Sequence, residues 1–297
     1  MNPRRLVFAG QAIVDVVLRV PALPERGGDV IATSAEITTG GGFNVMAAAA
    51  RQGLPVLYAG GHGTGPWGDL VRATLAAEGI EVLRPPDPGR DTGFDVALVE
   101  PDGERTFATH LGAETLESWP GIPMTAEDVV YLSGYGLPRI PRRLDAAQVF
   151  VDPGPLVAQI PADLLYPVLA RCDWLSCNQR EAGLLTGSAD PSEAARLLLE
   201  RTDHASIMVR TGASGCVLAV RGEEMTRVPA PVVEVVDTTG AGDTHAGVFI
   251  AGIADGLSPA QAAARANAAA ALSVTRPGPA MSPTRAALDA WLAERRE

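Results

Sequence analysis

Two spacings alternate along the chain. Short apolar runs of strand length stand at 6–9, 55–59, 80–83, 129–132, 149–151, 174–176 and 206–209. Longer stretches with helical character stand at 46–51, 68–78, 162–170, 191–200, 259–275 and 284–295. Strands that are apolar throughout, separated by helices, predict a mostly parallel central sheet covered on both faces. Residues 13–18 resume an extended pattern beyond Gly10, and 21–39 carry Pro, Gly and β-branched residues without a helical period. Residues 92–100 and 104–110 alternate about Pro101-Asp102-Gly103, which predicts a hairpin. Together, about 16–39 and 92–110 predict a small second sheet. There is no linker, low-complexity tract or internal repeat, so 1–297 reads as one domain.

One turn carries the chemistry. The run 232–236 reads as a strand feeding Asp237-Thr238-Thr239-Gly240-Ala241-Gly242-Asp243, and the apolar run 248–253 continues as a helix. Gly240, Ala241 and Gly242 present nearly bare amides at a helix N-terminus, which is an anion site. Asp243 would repel the anion that this turn attracts, so its carboxylate predicts a base taking a proton from an attacking hydroxyl. The rival reading is an ordinary helix entry with an acidic first turn.

Composition narrows the field. The net charge is −11, which argues against nucleic acid or anionic membrane as the main partner. All 24 basic residues are Arg; without Lys, a Walker-type phosphate lysine and any Schiff-base mechanism are excluded. Phosphate must then be handled by backbone amides, Arg and metal. Cys172, Cys177 and Cys216 lack zinc or redox spacing and read as small buried thiols. The basic residues near Met1 precede only a strand-length apolar run, so neither signal peptide nor membrane span is expected and the cytoplasm is the expected location.

Other polar residues interrupt the apolar pattern. Asp15 is expected near the carboxyl end of a strand, the edge where open α/β sheets bind ligands. Gly40-Gly41-Gly42 before a helix would let a ligand approach the backbone, with Asn44 offering a donor and an acceptor. Asn178 and Glu181 share a helical face, and on spacing alone they make half of a capping box. Thr211, Gly212 and Gly215 form a second glycine turn. Gly63 to Gly68 spells G-x-G-x-x-G, which would suit a dinucleotide-binding oxidoreductase, although Pro66 and Trp67 crowd the place a pyrophosphate would need.

The sequence resembles the ribokinase-like (PfkB) carbohydrate kinases. D-T-x-G-A-G-D at Asp237 to Asp243 is similar to that family's second signature, Gly40-Gly41-Gly42-Phe43-Asn44-Val45 to its first, G-G-x-x-N-x-A, and N-x-x-E at Asn178 to its magnesium motif. The hairpin and Leu132-Ser133-Gly134-Tyr135 resemble an uncharacterised bacterial sugar-kinase branch. The resemblance implies a ribokinase-like α/β fold with a β lid, and ATP-dependent phosphorylation of a neutral sugar. It implies Asp243 as base, Gly240, Ala241 and Gly242 as anion hole, and Asp15, Gly41, Gly42 and Asn44 as substrate holders. Asn178 and Glu181 would organise Mg2+; Thr211, Gly212, Gly215 and Asn267 would lie by the nucleotide. Asp237, Thr239, Ser273, Arg276, Gly278 and Ser282 would form a potassium loop, and the lid a homodimer surface. Alternatives are a nucleoside kinase of the same family, for which Phe43, Trp67, Phe94 and Tyr135 could wall a base, the oxidoreductase above, and a non-catalytic sugar sensor.

Overall fold

The computed structural model describes residues 4–115, 121–135, 148–203, 205–279 and 281–295. Among these, nine strands form one sheet in the order β13 (Thr226–Val228), β12 (Cys216–Ala219), β11 (Ser206–Arg210), β10 (Trp174–Asn178), β9 (Gln148–Asp152), β8 (Asp128–Ser133), β1 (Arg5–Phe8), β4 (Val56–Tyr58) and β5 (Glu81–Val82). From β11 to β5 every pairing is parallel, while β12 and β13 run antiparallel at one edge. Alternate side chains enter two cores: Leu6 and Phe8 point to one face, Val7 and Ala9 to the other.

Helices α1 (Phe43–Arg51), α6 (Ala241–Ala254), α7 (Pro259–Ser273) and α8 (Arg285–Glu294) supply the first core; α3 (Ala162–Leu169), α4 (Gln179–Thr186) and α5 (Pro191–Arg201) supply the second. Ala262, Ala263, Ala266 and Ala269 of α7 are fully buried, so its alanines serve close helix packing. All three cysteines are buried free thiols. Among the described residues no helix is long and apolar enough to cross a membrane.

The second sheet has the order β3 (Ser34–Gly41), β2 (Ala12–Arg19), β6 (Phe94–Val99), β7 (Arg105–His110). Asp15 therefore lies in the middle of β2, paired with Thr38 on one side and Asp95 on the other. The expectation that it ends a strand of the main sheet is corrected: after β1 the chain leaves that sheet, and the extended pattern after Gly10 belongs to the smaller one.

The expected strand at 232–236 is absent. Pro229 and Pro231 have no N–H to offer a neighbouring strand, and Val232 is 92% exposed. The end of the segment is held by the Val236 and Asp237 amides, which donate to the Val274 carbonyl at 2.8 and 3.1 Å. Two helices start earlier than the apolar spacing indicates. Helix α1 begins at Phe43, and α2 (Pro66–Ala77) has Pro66 in its first turn, where a missing N–H costs nothing.

Candidate active site

Strand β1 is the point at which the main sheet reverses direction, since the chain builds outward through β4 on one side and through β8 on the other. Crevices form at the carboxyl ends of strands at such a point. A cavity of about 290 Å³ lies there, lined among others by Phe8, Ser133, Asp152, Arg210, Gly242 and Asp243.

Asp243 stands in the first turn of α6, whose N-cap Gly240 has φ 71°, a left-handed conformation that favours glycine. First-turn amides have no intrahelical acceptor, so those of Gly242 and Asp243 are available to a ligand. The Asn44 amide Nδ2 donates to Asp243 Oδ2 at 3.3 Å, joining two signatures 199 residues apart. Burial, then the charge of Asp152, pushes the Asp243 carboxyl up to about 7, against the opposing pull of Asn44 and Arg210.

Arg210 ends β11 beneath this turn. Its Nη1 donates to Asp152 Oδ2 at 2.7 Å and also to the Ser176 hydroxyl, while Nη2 lies 3.8 Å from Glu181. Burial works against its charge, but Asp152 and Glu181 hold it protonated. A Cβ on Gly242 would sit 3.6 Å from the guanidinium, so a cation lies directly against the first turn of α6. Arg210 and Asp152 are site residues that the sequence reading missed. Each is a charged residue at the carboxyl end of an apolar strand, and in a chain without Lys that position on β11 was the available signal.

Gly41 of β3 brings the smaller sheet to the cavity; Asp15 and Asp95 of that sheet do not line it, but Asp15 lies near enough to Asp243 to feel its charge. Asp15 is pushed up to about 7 by burial and then by the charges of Asp95 and Asp243. Asp95, its neighbour in register, is pushed up to about 6 by burial, and its Oδ1 is buried without a partner. Asn44 Oδ1 is likewise buried and unpartnered. A Cβ on Gly40 would fall 1.9 Å from Asp15 Oδ2, and one on Gly42 1.9 Å from the Phe8 ring. Two of the three glycines are thus required by close side chains. Asp95 was also missed, because it reads as the polar half of an alternating strand.

Of the expected aromatic wall, Tyr135 lines the cavity, whereas Phe43 is 3% exposed within the core. Trp67 and Phe94 pack on each other with ring centroids 5.7 Å apart and rest against that core.

Asn178 and Glu181 form a complete capping box: Glu181 N donates to Asn178 Oδ1 at 2.8 Å, and Asn178 N to Glu181 Oε2 at 2.8 Å. Glu181 also lines the cavity, and burial raises its pKa. Glu181 is thus both a capping residue and part of the cavity wall. Thr211, Gly212 and Gly215 form a 3-10 turn after β11, with Thr211 N donating to the Gly215 carbonyl at 2.8 Å. Asn267 is 4% exposed and uses both ends of its amide internally. Its Nδ2 donates to the carbonyl of Val228 at 2.9 Å, and its Oδ1 faces His245 Nε2 at 3.0 Å. Burial lowers the His245 pKa to about 3, so Nε2 carries the proton of a neutral ring and donates it to Asn267.

The dinucleotide reading of Gly63 to Gly68 fails on geometry. The Asp91 carboxylate accepts from Trp67 N at 3.2 Å and Gly68 N at 2.8 Å, so the start of α2 already holds an internal anion. The six residues expected to form a potassium loop all make internal hydrogen bonds, with oxygens of Asp237, Ser273 and Ser282 accepting and Thr239, Arg276 and Gly278 donating. Asp237 accepts from Thr239 N at 2.8 Å, Thr239 Oγ1 at 2.6 Å and Gly278 N at 3.1 Å, and its Oδ1 is ion-paired with Arg105 of β7. The Ser282 carbonyl accepts from Arg51 at 2.9 Å, Ser273 Oγ donates to the Ala270 carbonyl at 2.8 Å, and Arg276 N donates to the Ser273 carbonyl at 3.2 Å.

The description "pfkB family carbohydrate kinase" matches residues 3–285. An Escherichia coli protein named as an uncharacterized sugar kinase, YegV, is 32% identical over 94% of this chain and 91% of its own length. The solved structure of Arabidopsis thaliana ribokinase, complexed with ribose and ATP, superposes with a TM-score of 0.82 at 26% identity, covering 98% of this chain and 99% of that one. Adenosine kinase from Sinorhizobium meliloti gives a TM-score of 0.82 at 25% identity and covers both chains fully, at 100%.

Proposed function

We propose that the chain, which belongs to the pfkB family of carbohydrate kinases, transfers the terminal phosphoryl group of ATP to a hydroxyl of a neutral monosaccharide, with Asp243 as the base. The observation that carries this reading is the Asn44–Asp243 contact at 3.3 Å, at the mouth of the α6 anion turn. Asp15, Asp95 and Asn44 accept and donate hydrogen bonds to the sugar hydroxyls. The reacting hydroxyl gives its proton to Asp243 as its oxygen forms a bond to the terminal phosphorus, and the bond from that phosphorus to the departing ADP oxygen breaks. The Gly242 and Asp243 amides and the Arg210 guanidinium receive the charge on the transferring group.

Magnesium suits the hard oxygen donors of Asp152 and Glu181, and when bound it neutralises phosphate charge. The residues that would orient it are Glu181, set by its capping box with Asn178, and Asp152, set by Arg210. Asn267 fixes the 228–229 backbone, and through it the edge of the Thr211 to Gly215 turn where the nucleotide would lie. Potassium is left out of this reading, because a bare cation beside Asp237 would meet the Arg105 guanidinium. The smaller sheet serves as the lid; its exposed Ile37 and Phe107 support a homodimer formed across it.

The site favours a neutral substrate. Asp15, Asp95 and Asp243 together would repel a sugar phosphate, and Arg210, beside Gly242, serves the transferring group and not the substrate. An ADP-release screen against neutral pentoses and hexoses, nucleosides and hexose phosphates tests this. Neutral sugars are expected to be the best substrates; hexose phosphates as best substrates would overturn the reading, and nucleosides would move it to the nucleoside branch of the family.

A further inference from the structure

The loop that leads into the anion turn carries a built-in cation. Asp237 is buried, with its side chain 8% exposed, and three neutral donors plus Arg105 surround its carboxylate. Two of those donors, the amide and hydroxyl of Thr239, set the residue just before Gly240, and the third ties in the 278 backbone. These hydrogen bonds and the Arg105 pair keep its pKa low in spite of burial, so Asp237 remains ionised. A buried carboxylate needs a counter-charge. Arg105 supplies it from β7 of the smaller sheet, across 132 residues of sequence.

Two neighbouring oxygens are already engaged by donors. The Ser282 carbonyl points to a second guanidinium, that of Arg51, and the Val274 carbonyl accepts the Val236 and Asp237 amides. A monovalent metal ion at Asp237 would compete with Arg105 for one carboxylate and be repelled by it. We propose that the Arg105 guanidinium does in this chain what a bound monovalent cation does at such a loop, so that phosphoryl transfer is independent of potassium. Arg105 is then a positioning residue: it holds Asp237, and Asp237 holds Thr239 and the turn that follows. Because it is anchored on β7, the same contact fastens the smaller sheet to the anion turn.

This inference rests on the phosphotransfer reading for its rate measurement, but not for its stability measurement. The wild type, Arg105→Met and Arg105→Lys would each be assayed for ADP release and thermal midpoint in potassium chloride and in tetramethylammonium chloride at equal ionic strength. The wild type and Arg105→Lys are expected to show the same rate and midpoint in both salts. Arg105→Met is expected to lose on the order of 10-fold in rate in tetramethylammonium, the size of a typical coupling between sites, and to recover rate and midpoint when potassium or low guanidinium is added. Potassium activation of the wild type, or an Arg105→Met variant as active as wild type in tetramethylammonium, would overturn the inference. If no substrate is phosphorylated, the midpoints still decide: a potassium-dependent rise confined to Arg105→Met sustains the cation's replacement while the phosphotransfer reading fails. Should Arg105→Met not fold, potassium titration of the wild type and Arg105→Lys decides by the same criterion.

Discussion

Asn44 of α1 donates its amide to Asp243 of α6 at 3.3 Å, so the residue that would read the sugar also touches the carboxylate that would deprotonate it. Under the proposed phosphotransfer, substrate position and base orientation would be one property of the site.

The pH dependence of both rate and stability follows from Asp243. With its carboxyl pushed up to about 7, kcat/KM is expected to rise with pH through a midpoint near 7. In the unfolded chain an Asp titrates near about 3.9. The folded state therefore binds the proton more tightly than the unfolded state between roughly 4 and 7, and Asp243 lowers stability as pH rises through that window. Thermal midpoints of wild type and Asp243→Asn, measured from pH 4 to 8, should converge at the acid end and separate toward pH 8, with the variant higher. Asp15 and Asp95 are raised as well, so the variant keeps a shallower slope of the same sign. A rate midpoint below pH 5 would contradict the account.

Asp95→Ala should stabilise the protein while weakening its grip on sugar. The buried Oδ1 without a partner is a cost to the free protein of about 1–3 kcal/mol that a substrate hydroxyl would relieve. The thermal midpoint at pH 8 is expected to rise, and KM for the best sugar to increase roughly 10- to 100-fold with kcat less affected. An unchanged KM would remove Asp95 from the substrate wall.

Gly40→Ala should act on Asp15. The new Cβ would fall 1.9 Å from the Asp15 carboxylate, which must turn away along β2. KM is expected to rise by about tenfold or more, because a misplaced hydrogen-bonding partner weakens the binding of the sugar hydroxyl it reads. Circular dichroism should remain that of the wild type. A variant with normal KM would show that Asp15 binds its ligand from another rotamer.

The legible parts of this protein are those with local physical causes. Continuous apolar strands at 129–132, 149–151 and 206–209 announced the parallel sheet, and the glycines at 240 and 242 announced a tight turn opening helix α6, in which the Ala241 amide is taken by the Thr238 carbonyl. What depends on tertiary partners was not legible. Asp15 looked like the end of a main-sheet strand because nothing local says that the chain changes sheets after Phe8. Nothing local marks Arg105 of the predicted hairpin, since its partner Asp237 is distant in sequence. Asp95 gained its character only from the register that sets it beside Asp15. The strand expected at 232–236 shows the converse: β-rich residues form no strand where prolines and exposure leave them no neighbour to pair with.

The most direct test of the central claim compares steady-state phosphoryl transfer by wild type and Asp243→Asn on the best sugar, with ATP and sugar affinities measured by calorimetry. Removal of a general base is expected to lower kcat by about 10² to 10⁴, with both affinities within a few-fold of wild type and the folded state intact. An Asp243→Asn enzyme that turns over at the wild-type rate would contradict the account.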